Sequence, residues 1–179
     1  MPTNNQPEYG DLVPGITPAL MNFLHNRFRL GKTSIHGPLH WQRVWENGQR
    51  LALLNGANLM VVALFAFTHD VARLDEGADW QHGPRAAHLI QEEIQGNFIN
   101  LPEDEINLLL LAVHTHTYGH CNASLTVQTC WDADRLDLGR TGIRPDPHRL
   151  CTDHARQPEI MQWAYQRSLS HSFQEKDFD

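Results

Sequence analysis

The feature that most constrains this chain is the segment 59–70, LMVVALFAFTHD. Nine consecutive apolar residues, 59–67, stop one residue short of a histidine and an aspartate side by side. A run of that length lacking glycine reads as a fully buried helix, and no other stretch makes a convincing strand to pair with it. Aspartate is almost never buried unless it is paired or bound to metal. His69-Asp70 at the end of a buried element is therefore a poor core and a good place for a metal site.

The rest of the chain supplies helices around that run. Thr17 precedes a helix over 18–30 closed by Gly31, and Pro38 opens another that ends near Gly56. In the second, His40, Val44, Leu51 and Leu54 fall broadly on one side. Residues 74–80 are polar and acidic, a loop. His82-Gly83-Pro84 starts a further helix with a stripe of Ala86, Ala87, Ile90, Ile94 and Phe98. Pro102 and three acids open a helix that carries Leu109, Leu110 and Val113 and runs into His114-Thr115-His116. Ser124 caps a helix to Leu138 on which Val127, Trp131, Asp134 and Leu138 share a face. Residues 140–147 read as an arginine-bearing loop, and 158–170 as a last helix. The lead-in 1–17 is irregular, and the tail 171–179 is polar and frayed. No repeat or linker divides the chain. The expectation is one all-α domain over 1–179, a helical bundle with its core at about 18–170.

Composition narrows the function. The 179 residues carry a net charge of −7 with only 14 Lys and Arg, which argues against an extended nucleic-acid surface. The longest apolar run is far too short for a membrane span. The N-terminus lacks a basic-then-apolar signal, so the cytoplasm is expected. Cys121, Cys130 and Cys151 form no CxxC pair and cannot all be disulfide-bonded, which fits a reducing compartment. HExxH, GxSxG, Walker A and GxGxxG motifs are absent. The excess is in histidine, at 12 residues.

Those histidines fall in a pattern. His36 and His40, His69 and Asp70, His82, His114 and His116, and Asp134 lie at helix edges or on apolar faces of different helices. Bundles build metal sites in this way, from inward residues on facing helices. A His, His, Asp, Asp set suits Mn²⁺, Fe²⁺, Co²⁺, Ni²⁺ or Zn²⁺ better than an ion that prefers thiolate. Taken singly, His114 and His116 also read as helix C-terminal residues, and Asp134 as a solvated charge beside Asp132, Arg135 and Asp137. His25, His88, His148, His154 and His171 read as ordinary core or boundary residues.

The order His40, His69-Asp70, Asp134 resembles the signature of the HD-domain superfamily of metal-dependent phosphohydrolases. His40-Trp41-Gln42-Arg43-Val44 is similar to its HxxRV motif. Phe65-Ala66-Phe67-Thr68-His69-Asp70 is similar to its apolar-then-HD motif, and Asp132-Ala133-Asp134-Arg135-Leu136-Asp137 to the DADRLD form of its last motif. The resemblance implies an all-α fold of five or more core helices. It implies a divalent ion (Mn, Fe, Co, Ni, Zn or Mg; one or two per chain) on His40, His69, Asp70 and Asp134, with Asp134 preferred to Asp132. His82 and His114 stand where some relatives bind a second metal; His116 is a weaker candidate, and His36 lies close enough to reach the same cleft.

In some relatives that hydrolyse nucleoside 5′-monophosphates an acid follows the HD aspartate by three residues, and in others a lysine that reaches a phosphate. Arg73 stands there, and guanidinium suits phosphate. Arg140 and Arg144 are further phosphate candidates. The expected activity is hydrolysis of a phosphorylated metabolite, a nucleotide by family tendency, with Asp70, Arg73, His82 and His114 as catalytic groups. A di-iron oxygenase and a nonenzymatic metal or nucleotide sensor are the alternatives.

Overall fold

The computed structural model describes Val13 to Leu169, and the readings for 1–12 and 170–179 lie outside the described residues. The fold is all-α. Helix α1 is Pro18–Arg27, α2 Pro38–Asn55, α3 Leu59–Thr68, α4 His82–Leu89, α5 Glu103–Thr115, α6 Leu125–Arg135 and α7 Pro158–Leu169. No strand occurs among the described residues beyond an isolated bridge between Gln95 and Ile99.

α3 is the axis of the bundle. Asn58 caps it by accepting from the Val61 N–H at 3.1 Å, and every residue from Val61 to Thr68 is buried. A helix apolar on all sides needs neighbours on all sides, and α3 has α2, α5 and α6 against it. The approach of α2 is close enough that a Cβ on Gly48 would sit 2.5 Å from Val62 Cγ1. Thr17 caps α1 through the Leu20 N–H, and Gly56, at φ 78°, closes α2 in the left-handed conformation that glycine adopts without strain. α7 adds a second apolar cluster in which Leu51, Leu136, Leu150 and Ala155 meet Ile160 and Ala164.

Four readings change. α1 ends at Arg27, because Phe28 is extended. Leu54 on α2 is exposed, since the α2 stripe drifts off the core in the last turn. The helix after Pro84 gives way to a π-helical turn, Ile90–Ile94, that ends at Gln95. α6 stops at Arg135, and a 3-10 turn, Leu138–Thr141, carries Arg140. No helix among the described residues is long and apolar enough to cross a membrane. Cys121 and Cys151 are joined in a disulfide with Cα atoms 4.9 Å apart, leaving Cys130 as the free, buried thiol. That pairing runs against the reading of the cysteines as belonging to a reducing compartment.

Candidate metal centre

α2, α3 and α6 deliver three side chains to one point. His40 sits in the first turn of α2, His69 caps the C-terminus of α3 and Asp134 lies in the last turn of α6. Their donor atoms converge: His40 Nε2 is 3.1 Å from His69 Nε2 and 3.4 Å from Asp134 Oδ1, and His69 Nε2 is 3.8 Å from Asp134 Oδ1. Asp70 Oδ2 stands 3.6 Å from His40 Nε2 and 3.7 Å from His69 Nε2.

The second oxygen of Asp70 faces another set. Its Oδ1 lies 3.2 Å from His82 Nε2, at the start of α4, and 3.7 Å from His116 Nε2, just past α5. The two Nε2 atoms are 2.7 Å apart. Asp70 thus stands between two groups of potential ligands, His40, His69 and Asp134 on one side and His82 and His116 on the other.

The hydrogen bonds of the far ring nitrogens set the tautomers. His40 Nδ1 donates to Asp137 Oδ2 at 2.7 Å. His69 Nδ1 donates towards the Phe65 and Ala66 carbonyls at 3.1 and 3.2 Å. His116 Nδ1 donates to the Val113 carbonyl at 2.7 Å, and His82 Nδ1 to the Asp79 carbonyl. Each of these partners only accepts, so each Nδ1 carries the hydrogen and each Nε2 presents a lone pair. Two lone pairs face each other in each group, with carboxylate oxygens beside them. That arrangement is repulsive without a positive charge in the middle. Asp134 Oδ1, buried, has no hydrogen-bond partner of its own. Ligands of one ion held at about 2.0–2.2 Å lie roughly 3–3.5 Å apart, and most of these separations fall near that range. The donors fit a divalent cation, and backbone and carboxylate acceptors behind ligand histidines are how proteins orient such rings.

Charge agrees with geometry at His69, His82, Asp70 and Asp134, and His116 depends on a bound cation to displace its proton. Burial pushes the His69 ring down to about 3. Burial, with His116 beside it, pushes His82 down to about 4. Burial alone would raise Asp70, but His69 together with His116, His36 and His40 holds its carboxyl well below the usual range. Asp134 is likewise held down against burial by His40, Arg140 and His69. His116 moves up, because Asp70 outweighs the effect of burial. Neutral rings and ionised carboxylates are the ligand-competent forms.

His36 donates from Nδ1 to Asp70 Oδ2 at 2.8 Å. Arg73 Nε donates to Asp70 Oδ1 at 3.1 Å, and its Nη1 binds the Asp75 and Gly77 carbonyls. Arg73 lines the cleft, yet it is engaged in fixing Asp70 and the loop after it, where the sequence reading gave it to a substrate phosphate. Arg140 is not a solvated loop charge: its side chain is 7% exposed, lies 3.6 Å from Asp134 and donates to the Ile35 and Asp137 carbonyls. Arg144 is exposed, with its guanidinium over the Tyr165 ring.

His114 needs correction. It is exposed and lines a separate groove with Pro84 and Leu111. The α5 residue at the centre is His116, because Leu109, Ala112 and Val113 are the buried face and the next turn of that face is 116. Two further residues went unassigned. Asp137 and Arg43 form a buried pair, Arg43 Nε to Asp137 Oδ1 at 2.7 Å, behind His40. Asp132, the carboxylate passed over in favour of Asp134, accepts from the Cys151 and Thr152 backbone at 2.7 Å and holds the loop there. His25, His88, His148 and His154 stand apart from the cluster, and His171 is outside the described residues.

The cluster forms the buried floor of a cleft of about 810 Å³, whose rim includes Ile143, Arg144, Asp146 and Arg149.

No protein-family model matches the chain. No curated protein matches it either. Among solved structures it is similar to the crystal structure of a predicted HD superfamily hydrolase from an uncultured Thermotogales bacterium, with a TM-score of 0.67 and 22% identity over 89% of this chain and 90% of that one. The chain has the all-α fold of that HD superfamily protein.

Proposed function

We infer that the chain is a metal-dependent hydrolase that cleaves a phosphate ester of a small metabolite. The observation that carries this reading is Asp70, with one carboxylate oxygen facing His40 and His69 and the other facing His82 and His116. His40, His69, Asp70 and Asp134 are the residues that would hold one divalent cation, and Asp70, His82 and His116 a second. Cations there supply Lewis acidity towards water and a phosphoryl oxygen. The chain's own part is to fix the ligands. His36 and Arg73 hold the Asp70 carboxylate from both sides, so its two oxygens cannot rotate away from their sets. Arg140 and Arg73 add positive charge at the cleft wall where a phosphoryl group would gain negative charge.

Support for a nucleotide is weakest. Among the described residues the cleft is lined by aliphatic side chains such as Ile35, Leu138, Ile143 and Leu150, with no Phe, Tyr or Trp to stack a base. The reading is tested by assaying the purified protein on a panel of phosphate esters with Mn²⁺, Co²⁺, Ni²⁺ and Mg²⁺. Turnover that needs metal and disappears in Asp70→Ala is expected; no metal-dependent hydrolysis of any ester would sink it. The adjacent histidine-rich sets sharing Asp70 also favour a second reading, an oxygen-activating di-iron enzyme. Aerobic iron-loaded protein that shows no oxo-bridge absorption and consumes no O₂ removes it.

A further inference from the structure

The segment 143–150 forms one rim of the cleft and is fixed from several directions. Asp132 accepts the Cys151 and Thr152 N–H groups at its C-terminal end, and the disulfide ties Cys151 to Cys121. Arg135 Nη1 donates to the Arg149 carbonyl at 2.9 Å, and Arg156 donates to the Leu150 carbonyl at 2.8 and 3.0 Å. Pro145 and Pro147 stiffen it further. A rim anchored this firmly presents its side chains in one arrangement, which lowers the cost of binding.

Two of those side chains are Arg144 and Arg149. Of the five arginines lining the cleft, three are committed elsewhere: Arg73 to Asp70, Arg140 to Asp134 and Asp137, and Arg135 to the Gly119 and Arg149 carbonyls. Arg149 has no carboxylate partner among the described residues, and Arg144 only the Tyr165 ring. The rim carboxylate of Asp146 accepts the His148 N–H, capping its own 3-10 turn. Uncommitted arginines beside a cleft, in a chain of net charge −7, mark where an anion is met.

We propose that Arg144 and Arg149 form a second anion subsite at the rim, so that the substrate is a small molecule with two anionic groups: a phosphoryl group for the His/Asp floor and a carboxylate or second phosphate for the rim. This rests on the floor being the phosphoryl site. The aliphatic lining of the cleft, Ile35, Leu138, Ile143 and Leu150, suits a short, non-aromatic connecting chain.

The test is calorimetric binding of three non-hydrolysable probes to the Mn²⁺-loaded protein: propylphosphonate, 3-phosphonopropionate and propane-1,3-diphosphonate. The two doubly anionic probes are expected to bind about tenfold or more tightly than propylphosphonate, the usual scale of charge-assisted hydrogen bonds. In the Arg144→Gln/Arg149→Gln variant, whose substituted side chains are exposed, that advantage disappears while propylphosphonate binding is unchanged. The better of the two doubly anionic probes identifies the second group. Equal binding of all three, or an advantage that survives the double substitution, overturns the rim subsite and leaves the floor reading intact. No binding of any probe overturns both.

Discussion

Asp137 accepts a hydrogen bond from His40 Nδ1 at 2.7 Å while its other oxygen takes the Arg43 guanidinium at 2.7 Å, and all three side chains are buried. The pair orients the His40 ring, and the arginine compensates a carboxylate that would otherwise be costly to bury. Burial alone would raise the Asp137 carboxyl, but His40, Arg43 and Arg140 keep it below the usual range. Replacing Asp137 with Asn keeps the shape but removes the charge, and metal affinity is expected to fall by about 10–100-fold. Asp137→Ala strands the Arg43 charge as well, at a stability cost of about 3–5 kcal/mol. Chelator competition and denaturant unfolding measure the two effects; a variant that binds metal as tightly as the parent shows that His40 is not a ligand.

The two histidines at the end of α5 separate cleanly. His116→Ala removes a ring whose Nε2 faces His82 at 2.7 Å, so the protein should lose one bound metal equivalent by elemental analysis. His114→Ala changes an exposed side chain and should leave the metal content as it was. The reverse result would overturn the assignment of the second set to Asp70, His82 and His116.

What the sequence made legible follows from how local each signal is. The bundle was readable because each helix carries its own start, stop and apolar stripe. His40, His69, Asp70 and Asp134 were readable as a group because each sits inside a recognisable local pattern. His116 was readable in principle, since it continues the phase of Leu109 and Val113, whereas His114 falls a half-turn away from it. Asp137 and Arg43 lay in plain view within the quoted motifs, but their pairing spans 94 residues, and burial of that kind leaves no local mark. The commitments of Arg73 and Arg140 were hidden for the same reason: an arginine's partners are set by where its guanidinium ends up, several bonds from the backbone. The Cys121–Cys151 pairing, 30 residues apart, depends on two loops meeting over Arg135.

Gly83 tests how tightly the second set depends on backbone packing. A Cβ there would lie 2.8 Å from the Val113 carbonyl oxygen and 2.9 Å from that of His114, both backbone atoms that cannot swing aside. Gly83→Ala should push the start of α4 from the end of α5, at about 1–3 kcal/mol of stability. It should also separate His82 from His116. Thermal unfolding and metal stoichiometry together read this: a lower Tm with one metal equivalent lost is expected, while an unchanged Tm shows that the two helix ends have room to spare.

The cysteines give a prediction that does not involve metal. Burial pushes the Cys130 thiol well above the ordinary cysteine value, so almost none of it is thiolate near neutral pH, and thiolate is the reactive form. Cys121 and Cys151 are paired. Thiol titration of the native protein at about pH 8, near the ordinary cysteine pKa, should therefore find no reactive group. Unfolding without reductant should expose the single thiol of Cys130, and reduction should then release the other two. Two thiols titrating in the native protein would show the pair to be open. The Arg135 guanidinium, which lies 3.2 Å from Cys151 Sγ and 3.8 Å from Cys121 Sγ, would then face two free sulfurs and favour their thiolate forms.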